Sequence, residues 1–264
     1  MRNSEFKKIH EPLPSGRQVR TQESLLVALL IFTFALLCPA VALPSEVDPA
    51  SEWHLLYLRI RDRLILKEEA RTRVSSIEVL LRDFYLKHSA GKRDKGLCFP
   101  LEGYTQNAIG GKGGSGYRPK GYDFFDGNDH KGHPGHDIFI RDKDQNGLED
   151  ATGRGVIVLS ASSGIVVSVN ADWDPSSLLR GGNYIWIYDP LESQYFYYAH
   201  LGQVFLKIGQ IVSRGDQIGT VGRTGKNAHL RRSATHLHFV VLQSIDGYPK
   251  PNNPYQELHR APGK

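Results

Sequence analysis

Hydrophobic positions recur with a helical period between residues 51 and 88, near the start of the chain. A spacing of three and four residues places such side chains on one face of an amphipathic helix. Lys67 interrupts the face, and Ser75 and Ser76 are a candidate position for a break into a helical hairpin. We expect this helical arm to pack on the rest of the chain or on a second copy. The face comprises Trp53, Leu56, Ile60, Leu64, Ala70, Val74, Ile77, Leu81 and Phe84.

After residue 97 the pattern changes to short β-branched runs that are separated by glycine turns. Residues 156–161 and 164–169 predict one hairpin, and residues 211–221 predict another. Regular short strands with turn signals predict a mainly β fold, an antiparallel sandwich or barrel. Further strands are predicted at 183–189, 194–199 and 204–208.

The glycine-rich segment between residues 107 and 120 is not a phosphate-binding loop. It lacks the Gly-Lys-Ser/Thr sequence, and no strand-then-helix pattern surrounds it. We expect a flexible loop that lies beside a binding site.

The first 42 residues have the organisation of an export signal. Residues 1–24 are polar and basic, and residues 25–42 form an apolar run that ends in Ala40-Val41-Ala42. This ending is typical of signal-peptide cleavage, here after Ala42. The alternative is an uncleaved membrane anchor with residues 1–24 in the cytoplasm, because basic residues favour that side. In both cases we expect the rest of the chain to be exported.

These patterns divide the chain into a leader (1–42), a helical arm with a linker (43–96) and a main domain (97–264). A hydrophobic content of 40% and an aromatic content of 10% favour a folded core. The net charge of +5 is too small, without a basic stripe, to indicate a nucleic-acid partner. Cys98 is the single cysteine after the leader, so no intramolecular disulfide is predicted.

Candidate metal ligands occur in segments that lie far apart in the chain. His236 and His238 share one face of a predicted strand, about 7 Å apart, and could be two ligands or one ligand beside a catalytic imidazole. His133 and Asp137 would be about 13 Å apart on a straight strand. The intervening Pro134-Gly135 favours a turn that brings them together. One His, one Asp and a second His would leave a zinc ion an open position for water.

The region around His133 contains further candidates, so the ligand set is not fixed by this spacing alone. His136 would lie on the opposite face from Asp137 and is the weaker candidate. The others are Asp126, Asp129 and His130.

The order of three motifs resembles the lysostaphin-type, or LytM-like, zinc metallopeptidases, which cut the peptides of peptidoglycan. The motifs are His133-x-Gly135-x-Asp137, Tyr198-Ala199-His200-Leu201 and His236-Leu237-His238. Glycines between residues 209 and 225 are also similar to the family framework, and the resemblance covers roughly residues 99–243. It implies a mainly β catalytic domain of antiparallel sheets, of the duplicated-hybrid-motif type, with the metal in a groove.

The resemblance also implies roles for five residues. His133, Asp137 and His238 would bind one zinc ion, and His200 and His236 would be the catalytic histidines beside it. A neutral imidazole can take a proton from water and return it to the leaving amine. A second imidazole can donate to the developing oxyanion. The sequence does not assign these two roles between His200 and His236.

Residues 142–150 depart from the family pattern and resemble the first part of a calcium loop. The position that usually supplies a bidentate Glu is Gly153, so a solvated acidic turn is the alternative. Ala234, Thr235 and Val240 also differ from residues common in the family, which bears on substrate detail. The candidate calcium ligands are Asp142, Asp144, Asn146 and Asp150.

The hypothesis is an exported zinc endopeptidase of the periplasm or cell envelope that acts on peptidoglycan, with an envelope protein as a partner of the helical arm. The alternative is a non-catalytic regulatory or binding module on the same fold. Relatives of that kind usually lack a site residue, and here all five are present. A biotinyl or lipoyl carrier is disfavoured because residues 211–221 contain no lysine. The bond that is cut, a D-alanyl cross-link to a diamino acid or a glycine bridge, stays open.

Overall fold

The computed structural model describes residues 48–89 and 96–261 of the 264-residue chain. The predicted leader, its cleavage after Ala42 and the anchor alternative lie outside the described residues, as does most of the expected linker. Within the two described ranges, no helix has both the length and the apolar composition that a membrane crossing requires.

The helical arm consists of two helices, α1 (Pro49–Arg61) and α2 (Lys67–His88). Asp48 precedes α1, and its carboxylate accepts hydrogen bonds from two N–H groups of the first turn. Pro49 suits the first helical position because its missing N–H would have no partner there. The sequence therefore fixes the start of α1 by a capping residue and a proline.

The turn between the helices lies earlier than expected. Arg63 adopts a left-handed φ of 58° just after α1, and the expected break at Ser75 and Ser76 is wrong. Both serines lie inside α2, where the Ser76 hydroxyl donates to the Thr72 carbonyl one turn earlier. Serine is tolerated there because its hydroxyl bonds back to the helix backbone.

The strands form two antiparallel sheets. The larger, seven-stranded sheet has the order β1-β9-β5-β4-β3-β7, with β10 paired to the second half of β9. The smaller sheet has the order β2-β8-β6. The predicted fold class, mainly antiparallel β preceded by a helical region, is confirmed. The strands are β1 (Gly135–Phe139), β2 (Ile157–Leu159), β3 (Gly164–Asn170), β4 (Tyr184–Asp189), β5 (Gln194–Ala199), β6 (Leu201–Val204), β7 (Ile211–Val212), β8 (Gln217–Val221), β9 (His236–Ile245) and β10 (Tyr248–Asn252); 3₁₀ turns lie at Gln106–Ala108, Lys112–Gly114 and Phe124–Asp129, and helix α3 is Tyr255–Arg260.

Both predicted hairpins are wrong, because each is divided between the two sheets. β2 pairs with β8 in the smaller sheet, whereas β3 pairs with β4 and β7 in the larger one. The segment 211–221 divides in the same way into β7 and β8. Turn residues mark where a strand ends, but they do not show whether the next strand stays in the same sheet.

The larger sheet is buried on both faces. On one face, Ile185 and Ile187 of β4 belong to the core that is shared with the smaller sheet. On the other face, Tyr184, Trp186 and Tyr188 of the same strand pack with α1 and α2. All the residues of β4 are buried, as expected for a strand that is covered on both sides.

Trp53 of α1 lies at the centre of the contact between the helices and the sheet. Its ring stacks on Tyr195 with the centroids 5.2 Å apart, and its Nε1 donates to the Tyr195 hydroxyl at 2.9 Å. That hydroxyl donates to the Glu78 carboxylate of α2 at 2.8 Å, and burial raises the pKa of Glu78. The helices therefore cover one face of the larger sheet, while the division into arm and main domain at residue 97 stays a prediction.

We expect Trp53→Ala to lower the free energy of unfolding by about 3–5 kcal/mol, because a fully buried aromatic side chain is lost. Urea unfolding followed by circular dichroism measures the change. Leu55→Ala is the matched control on the same helix, since Leu55 is 58% exposed. Its effect should stay within about 0.5 kcal/mol. Equal, small effects of both substitutions would contradict the packing of α1 on the sheet.

Candidate metal and catalytic site

Strand β9 carries His236 and His238 and pairs on both sides with strands that bring in the other predicted site residues. On one side, β1 places Asp137 opposite His238. On the other side, β5 places Ala199 opposite His238, and His200 follows directly. Side chains alternate along a strand, so His238 faces the helix-covered side together with Val240. Segments that are far apart in sequence therefore meet on one sheet face.

His133 reaches this face through the turn before β1. Its backbone N–H and carbonyl exchange hydrogen bonds with Arg118 at 2.7 and 2.8 Å. Its Nδ1 lies 2.9 Å from the Gly116 carbonyl and donates to it, while its Nε2 lies 3.2 Å from Oδ1 of Asp137. The glycine-rich segment, expected beside the site, thus orients the imidazole of His133.

The side chains of His133, Asp137 and His238 fit a zinc ion. One ligand atom from each lies within 4.8 Å of the other two, and Nδ1 of His238 is 2.9 Å from Oδ1 of Asp137. Zinc–ligand bonds of about 2.0–2.2 Å place tetrahedral ligand atoms roughly 3.3 Å apart. Two nitrogens and one carboxylate oxygen also form a donor set found in catalytic zinc sites.

The protonation states of Asp137 and His238 suit a cation. Burial would raise the pKa of Asp137, but hydrogen bonds from His133 and His238 bring it well below its usual range. Burial also lowers the pKa of His238. An ionised carboxylate and a neutral imidazole are the forms that bind metal ions.

His200 and His236 lie side by side next to this group. Their ring centroids are 4.9 Å apart, and Nε2 of His236 is 3.7 Å from Oδ1 of Asp137. Nδ1 of His200 lies 2.8 Å from the Thr224 carbonyl, and Nδ1 of His236 lies 2.7 Å from the Ala234 carbonyl. Each Nδ1–H donates to a carbonyl, so Nε2 is the acceptor nitrogen in each neutral ring.

The backbone holds His200 in a left-handed conformation with φ 64°. Its N–H donates to the Gly181 carbonyl at 2.8 Å, and its carbonyl accepts from Gly222 at 2.9 Å. Gly225 packs so closely that a Cβ there would lie 2.9 Å from Nδ1 of His200. Burial lowers the pKa of His200 to about 3, so its imidazole is neutral at physiological pH.

The other candidates from the same region do not join the cluster. His136 is fully buried on the opposite face of β1, and its ring lies 2.9 Å from Oδ1 of Asn253. Asp129 forms an exposed ion pair with Arg63 at 3.1 Å. Asp126 is exposed on the 3₁₀ turn, and His130 lines the cavity beside the cluster.

The acidic segment 142–150 folds into a loop that is closed by its own side chains. Oxygen atoms of Asp142, Asp144 and Asp150 lie within 4.8 Å of one another. The Asp142 carboxylate accepts the N–H groups of Asn146 and Gly147, and Oδ1 of Asn146 accepts the N–H of the next residue but one. These contacts are those of an acidic turn, and calcium binding by the segment stays a prediction without further support.

The cluster opens onto a cavity of about 290 Å³, whose lining includes residues that the sequence did not indicate. Tyr57 and Arg61 come from α1, and Arg180 comes from the loop before β4. Tyr197 also lines it, with its ring 6.3 Å from that of His238. Tyr197 could have been found, because it lies directly before a recognised motif. Arg61 could not, because a basic residue beside the apolar face of a helix usually points to solvent.

Residues 143–253 match peptidase family M23. The matched segment contains His200, His236 and His238 but begins after His133 and Asp137. The pairing of β1 with β9 adds Asp137 to the site, and the turn before β1 adds His133. The chain is thus similar to peptidase family M23 over this segment, and the predicted resemblance to lysostaphin-type peptidases is confirmed.

The chain is 36% identical over 110 residues to "Peptidoglycan DD-endopeptidase ShyB" of Vibrio cholerae serotype O1. This match covers 40% of the chain and 22% of that relative, so most of the relative has no counterpart in the match.

Two solved structures are similar to the chain. A zinc-containing peptidase from Vibrio cholerae is 26% identical with a TM-score of 0.39, over 65% of this chain and 41% of that one. The catalytic domain of lysostaphin from Staphylococcus simulans is 25% identical with a TM-score of 0.35, over 63% and 91%.

We expect the purified protein to retain one zinc ion per chain, measured by plasma mass spectrometry after dialysis. Asp137→Asn should weaken zinc binding at least tenfold in a chelator competition, since even residues that only support zinc ligands contribute about 10–100-fold. His130→Ala is the control, because His130 lines the cavity but does not belong to the three-residue cluster. Zinc loss in His130→Ala with full retention in Asp137→Asn would contradict this ligand set.

Proposed function

We propose that the protein is an exported, zinc-dependent endopeptidase that hydrolyses peptide bonds in the stem or cross-bridge peptides of peptidoglycan. The observation that carries the proposal is the meeting of three candidate ligands and two further histidines on one sheet face beside a cavity. The family match and the similarity to a peptidoglycan endopeptidase support the substrate class.

His133, Asp137 and His238 would hold the zinc ion. When bound, zinc lowers the pKa of a water molecule and polarises the scissile carbonyl. The Gly116 carbonyl fixes the ring of His133, and the register of β1 on β9 fixes the other two side chains. Ligands held in this way need little rearrangement, which favours a site that is organised before the substrate binds.

His200 and His236 would move the protons. Each neutral ring presents Nε2 as an acceptor, because its Nδ1–H is used by a carbonyl. The ring that takes the proton of the attacking water becomes an imidazolium, which can then donate to the leaving amine. Two imidazolium rings whose centroids are 4.9 Å apart would repel each other, so only one of the two rings would carry the proton taken from water at any time. Either His200 or His236 can act first.

The remaining assignments belong to the same proposal. Residues 1–42 would export the chain to the periplasm or cell envelope, where residues 97–264 would act as the catalytic domain. An envelope protein that contacts the helical arm of residues 43–96 stays a prediction. A non-catalytic regulatory module is the alternative, and the complete five-residue set favours the enzyme.

We expect the zinc-loaded protein to release uncross-linked or shortened stem peptides from purified sacculi, detected by mass spectrometry. His238→Ala should abolish release because it removes a zinc ligand. His200→Ala should keep the zinc but slow release by about 10²–10⁴-fold, the usual contribution of a general acid–base group.

No release by a protein that holds stoichiometric zinc would contradict the enzyme and favour the regulatory module. Unchanged release by His200→Ala would instead remove His200 from the chemistry while leaving the zinc site in place.

A further inference from the structure

Two arginines from different parts of the fold line the cavity beside the site. Arg61 belongs to the last turn of α1, and Arg180 lies in the loop before β4. Burial raises the pKa of the Tyr197 hydroxyl, and the positive charges of Arg180 and Arg61 oppose that rise. Both arginines line the same cavity as Tyr197 and His238, whose rings are 6.3 Å apart.

Arg180 is exposed at the mouth of the cavity and is anchored at one end. Its Nη1 donates to the His130 carbonyl at 2.8 Å, and its backbone N–H donates to Oδ1 of Asn128 at 3.1 Å. A guanidinium has five N–H donors, of which this contact uses one. In the part of the chain that the structure describes, Arg180 forms no ion pair with a carboxylate.

Arg61 is fixed more firmly than Arg180. Its Nε and Nη2 both donate to the Asp62 carboxylate at 2.7 Å, which orients the guanidinium plane and offsets part of its charge. The backbone of Arg61 also packs closely against Gly127, where an added Cβ would lie only 2.6 Å from the Arg61 carbonyl oxygen. Arg61 therefore supplies a positioned donor, and Arg180 supplies the net charge.

The lining of the cavity offers little that would repel an anion. Asp137 is the sole carboxylate among the described lining residues, and it belongs to the candidate zinc ligands. With zinc bound, the wall carries an excess of positive charge even when Asp62 is counted beside Arg61. If the ligand were neutral, the remaining N–H groups of the Arg180 guanidinium would form hydrogen bonds only with water.

We propose that Arg180, together with Arg61 of the same cavity lining, binds a carboxylate of the substrate next to the scissile bond, so that the substrate is an acidic peptide. This rests on the proposed peptidase function and deepens it. Of the two bonds left open by the sequence, a D-alanyl cross-link to a diamino acid has such a carboxylate beside it. A glycine bridge has no side-chain charge and gains nothing from the two arginines.

The test compares two synthetic cross-linked peptides that differ at one group. One has the free carboxylate of the diamino acid beside the D-alanyl bond, and the other has a carboxamide there. Zinc-loaded wild-type protein should cleave the free acid with a kcat/KM about 10- to 100-fold higher, the range expected for a charge-assisted hydrogen bond. Arg180→Gln should lower this ratio towards one, because it slows cleavage of the free acid more than cleavage of the carboxamide.

Arg59→Gln is the matched control, since Arg59 is an arginine of the same helix as Arg61 and does not line the cavity. It should leave the ratio unchanged, and Arg61→Gln should reduce it less than Arg180→Gln does. A wild-type ratio near one, an unchanged ratio in Arg180→Gln, or faster cleavage of a pentaglycine peptide would overturn the proposal.

A binding measurement separates this proposal from the proposed function. Both peptides are titrated calorimetrically into zinc-loaded His200→Ala, with and without Arg180→Gln. Tighter binding of the free acid that is lost with Arg180→Gln supports carboxylate recognition even if the wild-type protein cleaves neither peptide, an outcome that would refute the peptidase alone. Equal binding of the two peptides would overturn carboxylate recognition whatever the protein cleaves.

Discussion

The register of β1 against β9 is the constraint on which the site depends. It places Asp137 opposite His238, with their side chains on the same sheet face and 2.9 Å apart. A slip of one residue would turn every side chain of β1 to the other face and put His136 where Asp137 lies. Burial on both faces prevents the slip, because Ile138 and His136 fill the opposite side of the strand. The packing of the sheet therefore also determines which side chains form the site.

The helix-covered face of the larger sheet has two uses. Under α1 and α2 it is a core, centred on Trp53 and Trp186, and at the start of β9 and on the paired strand β1 it carries the candidate zinc ligands His238 and Asp137. Tyr57 belongs to both, because its ring packs 5.6 Å from that of Trp186 and also lines the cavity. Helix α1 thus forms part of the wall of the cavity beside the candidate site.

The residues that meet at the candidate site could be predicted from the sequence better than those that surround them. His133, Asp137, His200, His236 and His238 stand in short motifs, and the structure brings all five together. The helical period also predicted which side of α1 is buried. The break at Ser75 and the pairing of β2 with β3 were wrong, because a helix can absorb serine and a turn does not specify the next partner. Arg61 was missed because its place in the cavity lining depends on a tertiary contact.

A hydrogen bond joins the acidic loop of residues 142–150 to the residue before β9. Thr235, the residue before His236, donates its hydroxyl proton to Asp142 and accepts a hydrogen bond from Arg223 at 2.8 Å. The strand that presents His236, a candidate catalytic residue, is therefore hydrogen-bonded to a loop 93 residues away. A change in the length of that loop would move Thr235 and, with it, the imidazole of His236. The loop can therefore vary only as far as this imidazole keeps its position.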